Sequence, residues 1–213
     1  MMELKWISGV VGCTSIQRFR AVRVGFFAFT LSGCISLQSG EEVAFVAPPM
    51  QWDHHPEGEE WTESTLVAIS TKDPLLSDRV PADIDTWCPG YEAADLEERR
   101  AFWAGLLSAV AKYESTWNPI ASGGGGRWIG LMQISPRTAA NYGCEATSAG
   151  ELKDGEANLE CAVEIMSEQV AKDGLVAGGG NRGIGRDWAP LRSIEKRSAM
   201  AAWTREQPYC LPG

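Results

Sequence analysis

The chain has 213 residues, 44% of them hydrophobic and 22% charged, with a formal net charge of −9. That is room for one folded domain plus appendages, with the balance of a globular protein and not of a disordered one. The acidic surplus excludes tight nucleic-acid binding, which relies on Lys and Arg neutralising phosphates. Cys and His usage argues against a metal centre. His54 and His55 are the only imidazoles, no Cys pair has C-x-x-C spacing, and no His lies near a Cys, so neither a zinc site nor a His-dependent triad is expected. No cofactor motif stands out.

In chain order, Arg18, Arg20 and Arg23 precede the apolar run Val24–Leu31, and Leu31-Ser32-Gly33-Cys34 follows. Basic, then apolar, then small residues is the pattern of an export signal, and the run is too short to span a bilayer. Leu-Ser-Gly-Cys resembles the lipobox of bacterial lipoproteins, which implies a signal peptide over residues 1–33 and lipidation of Cys34. Residue 35 is Ile and not Asp, and this resemblance then implies an outer-membrane lipoprotein facing the periplasm, held by its acyl chains. Residues 34–85 are rich in Ser, Glu, Asp and Pro and read as a flexible linker. Thr65–Ile69 reads as one short strand or a docked segment. Trp52 and Trp61 fit a linker poorly, because disordered segments seldom carry aromatics, and their packing onto the domain stays open.

Residues 86–213 read as one folded domain. Its four cysteines, in an exported chain, allow three pairings of two disulfides. Cys88 with Cys210 and Cys144 with Cys161 are favoured, the first because it ties the ends of the domain together. A helix is predicted over Ala93–Tyr113, with Leu96, Trp103, Leu107 and Val110 on one face. Four residues further along that stripe stands Glu114. Burial and the negative end of the helix dipole both disfavour its ionisation, and a carboxyl kept protonated near neutral pH suits a general acid. Asn118-Pro119 ends the helix, and Gly123–Gly126 make a turn without the Gly-Lys-Ser/Thr of a phosphate loop. Gly130 permits close backbone approach, Gln133 offers an amide, and Ser135-Pro136 reads as an N-cap with Pro at the first helical position.

This combination, Glu114-Ser115-Thr116-Trp117-Asn118-Pro119, then Ala121-Ser122, Gly130-Leu131-Met132-Gln133-Ile134, Pro136 and Thr138-Ala139, resembles the soluble lytic transglycosylase family. The resemblance implies a mainly α (α+β) lysozyme-like domain with a small β-hairpin region. It implies an enzyme cleaving the glycan strands of peptidoglycan between N-acetylmuramic acid and N-acetylglucosamine to leave a 1,6-anhydro end. Glu114 matches the family's catalytic residue, and Ser115, Met132 and Gln133 match positions lining its saccharide cleft, with Gly130 beside them. No second carboxylate is obvious near Gln133, and Glu145 reads as a surface residue.

Further on, Asp154–Asp173 reads as a helix ended at Gly174, and Gly178–Gly185 as a flexible loop bordering the cleft. The loop's formal G-x-G-x-x-G match (Gly178, Gly180, Gly183) lacks a βαβ setting and carries no dinucleotide expectation. Trp188 is open to stacking on sugar or packing, and a last helix is predicted over Ser193–Trp203. The chain departs from the family by lacking an Ala-Tyr-Asn-Ala-Gly-like motif here, with no Tyr between Tyr142 and Tyr209. Alternative readings are a lysozyme-type hydrolase on the same fold and a non-catalytic peptidoglycan-binding lipoprotein.

Overall fold

The computed structural model describes residues 46–212, so the signal peptide over 1–33 and the lipidation of Cys34 lie outside the described residues. Among the described residues there are seven α-helices and one two-stranded sheet, the mainly helical, lysozyme-like architecture expected. The helices are α1 (Gly58–Thr71), α2 (Leu75–Asp78), α3 (Ile84–Trp87), α4 (Leu96–Glu114), α5 (Pro136–Tyr142), α6 (Gly155–Asp173) and α7 (Ile194–Arg205). No described helix is long and apolar enough to cross a membrane.

The shaft of the fold is α4. It starts at a capping box: Asp95 Oδ1 accepts from Glu98 N at 2.9 Å, and Asp95 N donates to Glu98 Oε2 at 3.1 Å. The helix therefore begins three residues later than predicted, with Asp95 as its cap. Its burial also differs from a single stripe. Leu96 is exposed, while every residue from Ala101 to Ala111 is buried. An all-round buried helix needs neighbours on all sides, and α1, α2, α7 and the C-terminal turn Pro208–Cys210 supply them.

Residues 46–85 are not a flexible linker. Trp52 is fully buried and its Nε1 donates to Thr62 Oγ1 at 2.8 Å, while Trp61 meets it edge-to-face at 6.0 Å between ring centres. In α1, Trp61, Thr65, Ala68 and Ile69 bury one helical face against α6 and α4, and Leu76 and Ile84 extend that core. Thr65–Ile69 is thus helix and not strand. Pro74 stands at the N-cap of α2, where a proline does not interrupt the helix. Glu57, Glu59, Glu60 and Glu63 are exposed, and a few large apolar anchors provide enough burial to offset the entropy of ordering.

Strands β1 (Ser122–Gly123) and β2 (Trp128–Ile129) pair antiparallel, Ser122 opposite Ile129 and Gly123 opposite Trp128. The turn between them takes Gly124, Gly125 and Gly126 at φ of 54°, 69° and 89°, a left-handed path open to glycine. Helix α5 opens as predicted, with Ser135 Oγ accepting from Thr138 N at 3.0 Å and Pro136 at the first position, and ends on left-handed Gly143. Helix α6 is capped by Asp154 and ended by left-handed Gly174. Disulfides join Cys88 to Cys210 and Cys144 to Cys161, across 122 and 17 positions.

Candidate active site

Glu114 is the last residue of α4, and its side chain enters a cleft of about 370 Å³ lined by Glu114, Trp128, Gln133, Asp187, Ala189 and Arg192. Burial raises its carboxyl to a pKa of about 7, against the opposing pull of Lys196 and Arg192. A carboxyl so raised is available as a proton donor near neutral pH. The chain leaves α4 by a constrained route. Thr116 and Trp117 both take positive φ (55° and 56°), and Trp117 folds back so that its Nε1 donates to Ser108 O at 2.9 Å. Two consecutive non-glycine residues in this region are strained, and such strain is found where a site is held in a fixed shape.

The opposite wall is built by one buried amide. Asn158 of α6 accepts from Met132 N at 2.8 Å and donates to Ile129 O and Leu152 O at 3.1 and 2.9 Å. It fixes the turn Gly130–Gln133. Gly130 lies at φ 80°, and a Cβ there would come within 2.2 Å of Leu152 O and 2.3 Å of Asn158 Nδ2. Gln133, at φ 50°, bends its amide back to donate to Gly130 O at 2.9 Å and lines the cleft beside Glu114.

The predicted site residues separate accordingly. Glu114 and Gln133 share the cleft. Gly130 is buried and acts through its backbone. Ser115 hydrogen-bonds Ala111 O at 3.3 Å and is not among the cleft's lining residues. Met132 is fully buried in the core, so its side chain does not face this cleft as expected; its carbonyl accepts from Trp188 Nε1 at 3.0 Å. Trp188 is therefore a packing residue, and Trp128, 44% exposed, is the aromatic beside Glu114. The loop Gly178–Gly185 does not border this cleft. Its later part is pinned to the end of α6, where Asp173 accepts from Gly183 N and pairs with Arg186 at 2.7 Å.

Asp187 is the residue that the sequence did not single out. It is a second carboxylate in the cleft that holds Gln133, contrary to the expectation of none. Tyr142 OH donates to its Oδ2 at 3.1 Å, and Gln169 Nε2 donates in turn to Tyr142 OH. Asp187 is 73 positions from Glu114, and no local pattern links them. Glu145, by contrast, is exposed and pairs with Lys72 at 3.2 Å, as a surface residue does.

The Transglycosylase SLT domain family matches residues 93–200. Among solved structures, a glutamate-to-glutamine mutant of DslA superposes with a TM-score of 0.71 at 27% identity, covering 79% of this chain and 100% of that one. Wild-type DslA gives 0.70 and 27% over the same shares. No curated protein sequence matches the chain. A half-buried glutamate closing a central helix, a glycine-rich hairpin and a glutamine-bearing turn thus stand inside the region that the family spans, and the chain belongs to the transglycosylase SLT domain family.

Proposed function

We propose that this protein is a peptidoglycan lytic transglycosylase, and that Glu114 is both acid and base of the transglycosylase reaction. The observation that carries the proposal is the half-buried Glu114 carboxyl, held at a pKa of about 7 in a cleft with an amide and an exposed indole. Protonated Glu114 gives its proton to the β-1,4 glycosidic oxygen between N-acetylmuramic acid and N-acetylglucosamine, and the C1–O bond breaks. The substrate's own N-acetyl group stabilises the positive charge on C1, so a nucleophilic carboxylate is not required. Glu114, now ionised, takes the proton of the muramoyl C6 hydroxyl, whose oxygen bonds to C1. The product is a 1,6-anhydro end, water is not consumed, and Glu114 is protonated again. Trp128 offers a flat apolar face to a sugar ring and Gln133 a donor and acceptor.

The protein acts on peptidoglycan outside the cytoplasm in this reading, and its two disulfides suit an oxidising compartment. Residues 1–33 serve as its export signal and Cys34 as its acyl anchor in the outer membrane. The folded catalytic unit takes in residues 46–212.

The test is mass spectrometry of products released from sacculi by the soluble chain beginning at Ile35. Muropeptides one water lighter than hydrolysed ones, absent with Glu114→Gln, are expected. A folded wild-type protein that binds sacculi and releases nothing would sink the enzyme reading.

A further inference from the structure

The cleft does not end at Glu114. Trp128, Gln133 and Asp187 also line a side pocket of about 60 Å³, together with Ile134, Ser135, Thr138, Ile165 and Trp188. That volume exceeds what one water needs, and the Gln133 amide, the Ser135 and Thr138 hydroxyls and the Asp187 carboxylate give it polar partners. Resting on the reading of Glu114 as the acid, we propose that Asp187 is a second reacting carboxylate: it is the base for a water seated in this pocket, so the enzyme releases hydrated reducing ends beside anhydro ends.

Three observations carry this. Asp187 lines both the pocket and the cleft containing Glu114, so a water held on it faces the cleft in which Glu114 acts. Its orientation is fixed from outside the cleft by Tyr142 OH, backed by Gln169, which is only 3% exposed. An ionised carboxylate accepts about four hydrogen bonds, so these donors leave room for a water. Finally, among the described residues Asp187 forms no salt bridge, whereas Asp173 is committed to Arg186 and Glu145 to Lys72. Burial raises its affinity for a proton, against the Tyr142 hydrogen bond and the charge of Arg192, and a carboxylate so raised is a stronger base.

The hydrolytic branch balances. Glu114 gives its proton to the glycosidic oxygen and the C1–O bond breaks. The water oxygen bonds to C1 and its proton goes to Asp187. Asp187 then returns that proton to solvent and Glu114 takes one up, for a net addition of one water across the bond. Two carboxyl groups flanking the bond, one acid and one activating water, is the arrangement by which glycosidases hydrolyse. Both branches need Glu114, and only hydrolysis needs Asp187. Tyr142 and Gln169 are positioning residues.

The experiment uses sacculi whose pre-existing reducing ends have been removed with borohydride. The ratio of hydrated to anhydro muropeptides is measured for the soluble chain from Ile35, Asp187→Asn, Tyr142→Phe and Glu114→Gln. Wild type should release both products. Asp187→Asn should lower the ratio at least about tenfold, whatever happens to total turnover, since general-base catalysis contributes about 100-fold or more. Tyr142→Phe, which keeps the ring and removes the donor, should lower it by a smaller factor, and it carries the test if Asp187→Asn does not fold. Anhydro product alone from wild type, or an unchanged ratio in a folded Asp187 or Tyr142 variant, overturns the inference and leaves the Glu114 reading intact. Both products persisting in Glu114→Gln would overturn the Glu114 reading instead.

Discussion

Replacing Asn158 by Ala should cost far more than an ordinary surface or helix substitution. The side chain is fully buried and holds three backbone groups from two segments: Met132 N–H, Ile129 C=O and Leu152 C=O. Ala removes all three partners, and an orphaned buried polar group costs about 1–3 kcal/mol. Partial relaxation and water entry reduce the sum, and we expect a loss of about 3–5 kcal/mol, a large share of the roughly 5–15 kcal/mol that holds a domain together. Urea unfolding followed by Trp fluorescence would show it as a lower midpoint at unchanged slope. Asn158→Asp is the informative partner variant. It keeps an acceptor for Met132 N–H but loses both donors and buries a carboxyl, so it should be at least as harmful as Ala. A loss below about 1 kcal/mol for Ala, or a benign Asp, would refute the claim that this amide holds the Gly130–Gln133 turn.

Glu114 should reverse the usual sign of a carboxylate's contribution to stability. Its folded pKa is about 7, above the unfolded value near 4.5, so the folded chain binds more protons between these values and stability falls as pH rises through them. Glu114→Gln should therefore match wild type at pH 4 and have a higher Tm at pH 8; calorimetry showing a lower Tm at pH 8 would contradict this. The same ionisation predicts that kcat/KM on soluble glycan declines as pH rises through about 7, and a flat profile from pH 6 to 9 would refute it. Trp52→Ala should destabilise by about 3–5 kcal/mol, because it empties a fully enclosed indole site and removes the indole's hydrogen bond to Thr62. In a domain of this size that lowers Tm by roughly 10 °C, and a shift under about 2 °C would show that residues 46–57 are not part of the core.

The parts legible in the sequence are those with local causes. Ser135-Pro136, Asp154 and Gly174 mark helix ends because caps act within a few residues, and those ends fall where predicted. The motif from Glu114 to Gln133 is readable because its residues lie close along the chain as well as in space. What failed was long-range. Residues 46–85 have the composition of a linker, and the burial of Trp52, Trp61, Ile69, Leu76 and Ile84 makes them part of the domain. Leu96 fits the apolar stripe but falls outside the region that α4's neighbours cover. Asp187 reaches the cleft through a turn with no periodicity, and the Tyr142 that holds it belongs to a different helix. Trp188 and Met132 satisfy each other in the core, a pairing that neither residue's surroundings in sequence reveal.

The packing of residues 46–85 into the domain also sets how far the enzyme could work from an attachment at Cys34. With Cys34 acylated as proposed, a linker running to residue 85 would allow about 180 Å of fully extended chain. The described fold starts at Val46, twelve backbone steps from Cys34, and these can span at most about 40 Å. The cleft is then confined to glycan strands close to the membrane that holds it. Lengthening the leash would change which layer of the wall is cut without altering one atom of the site.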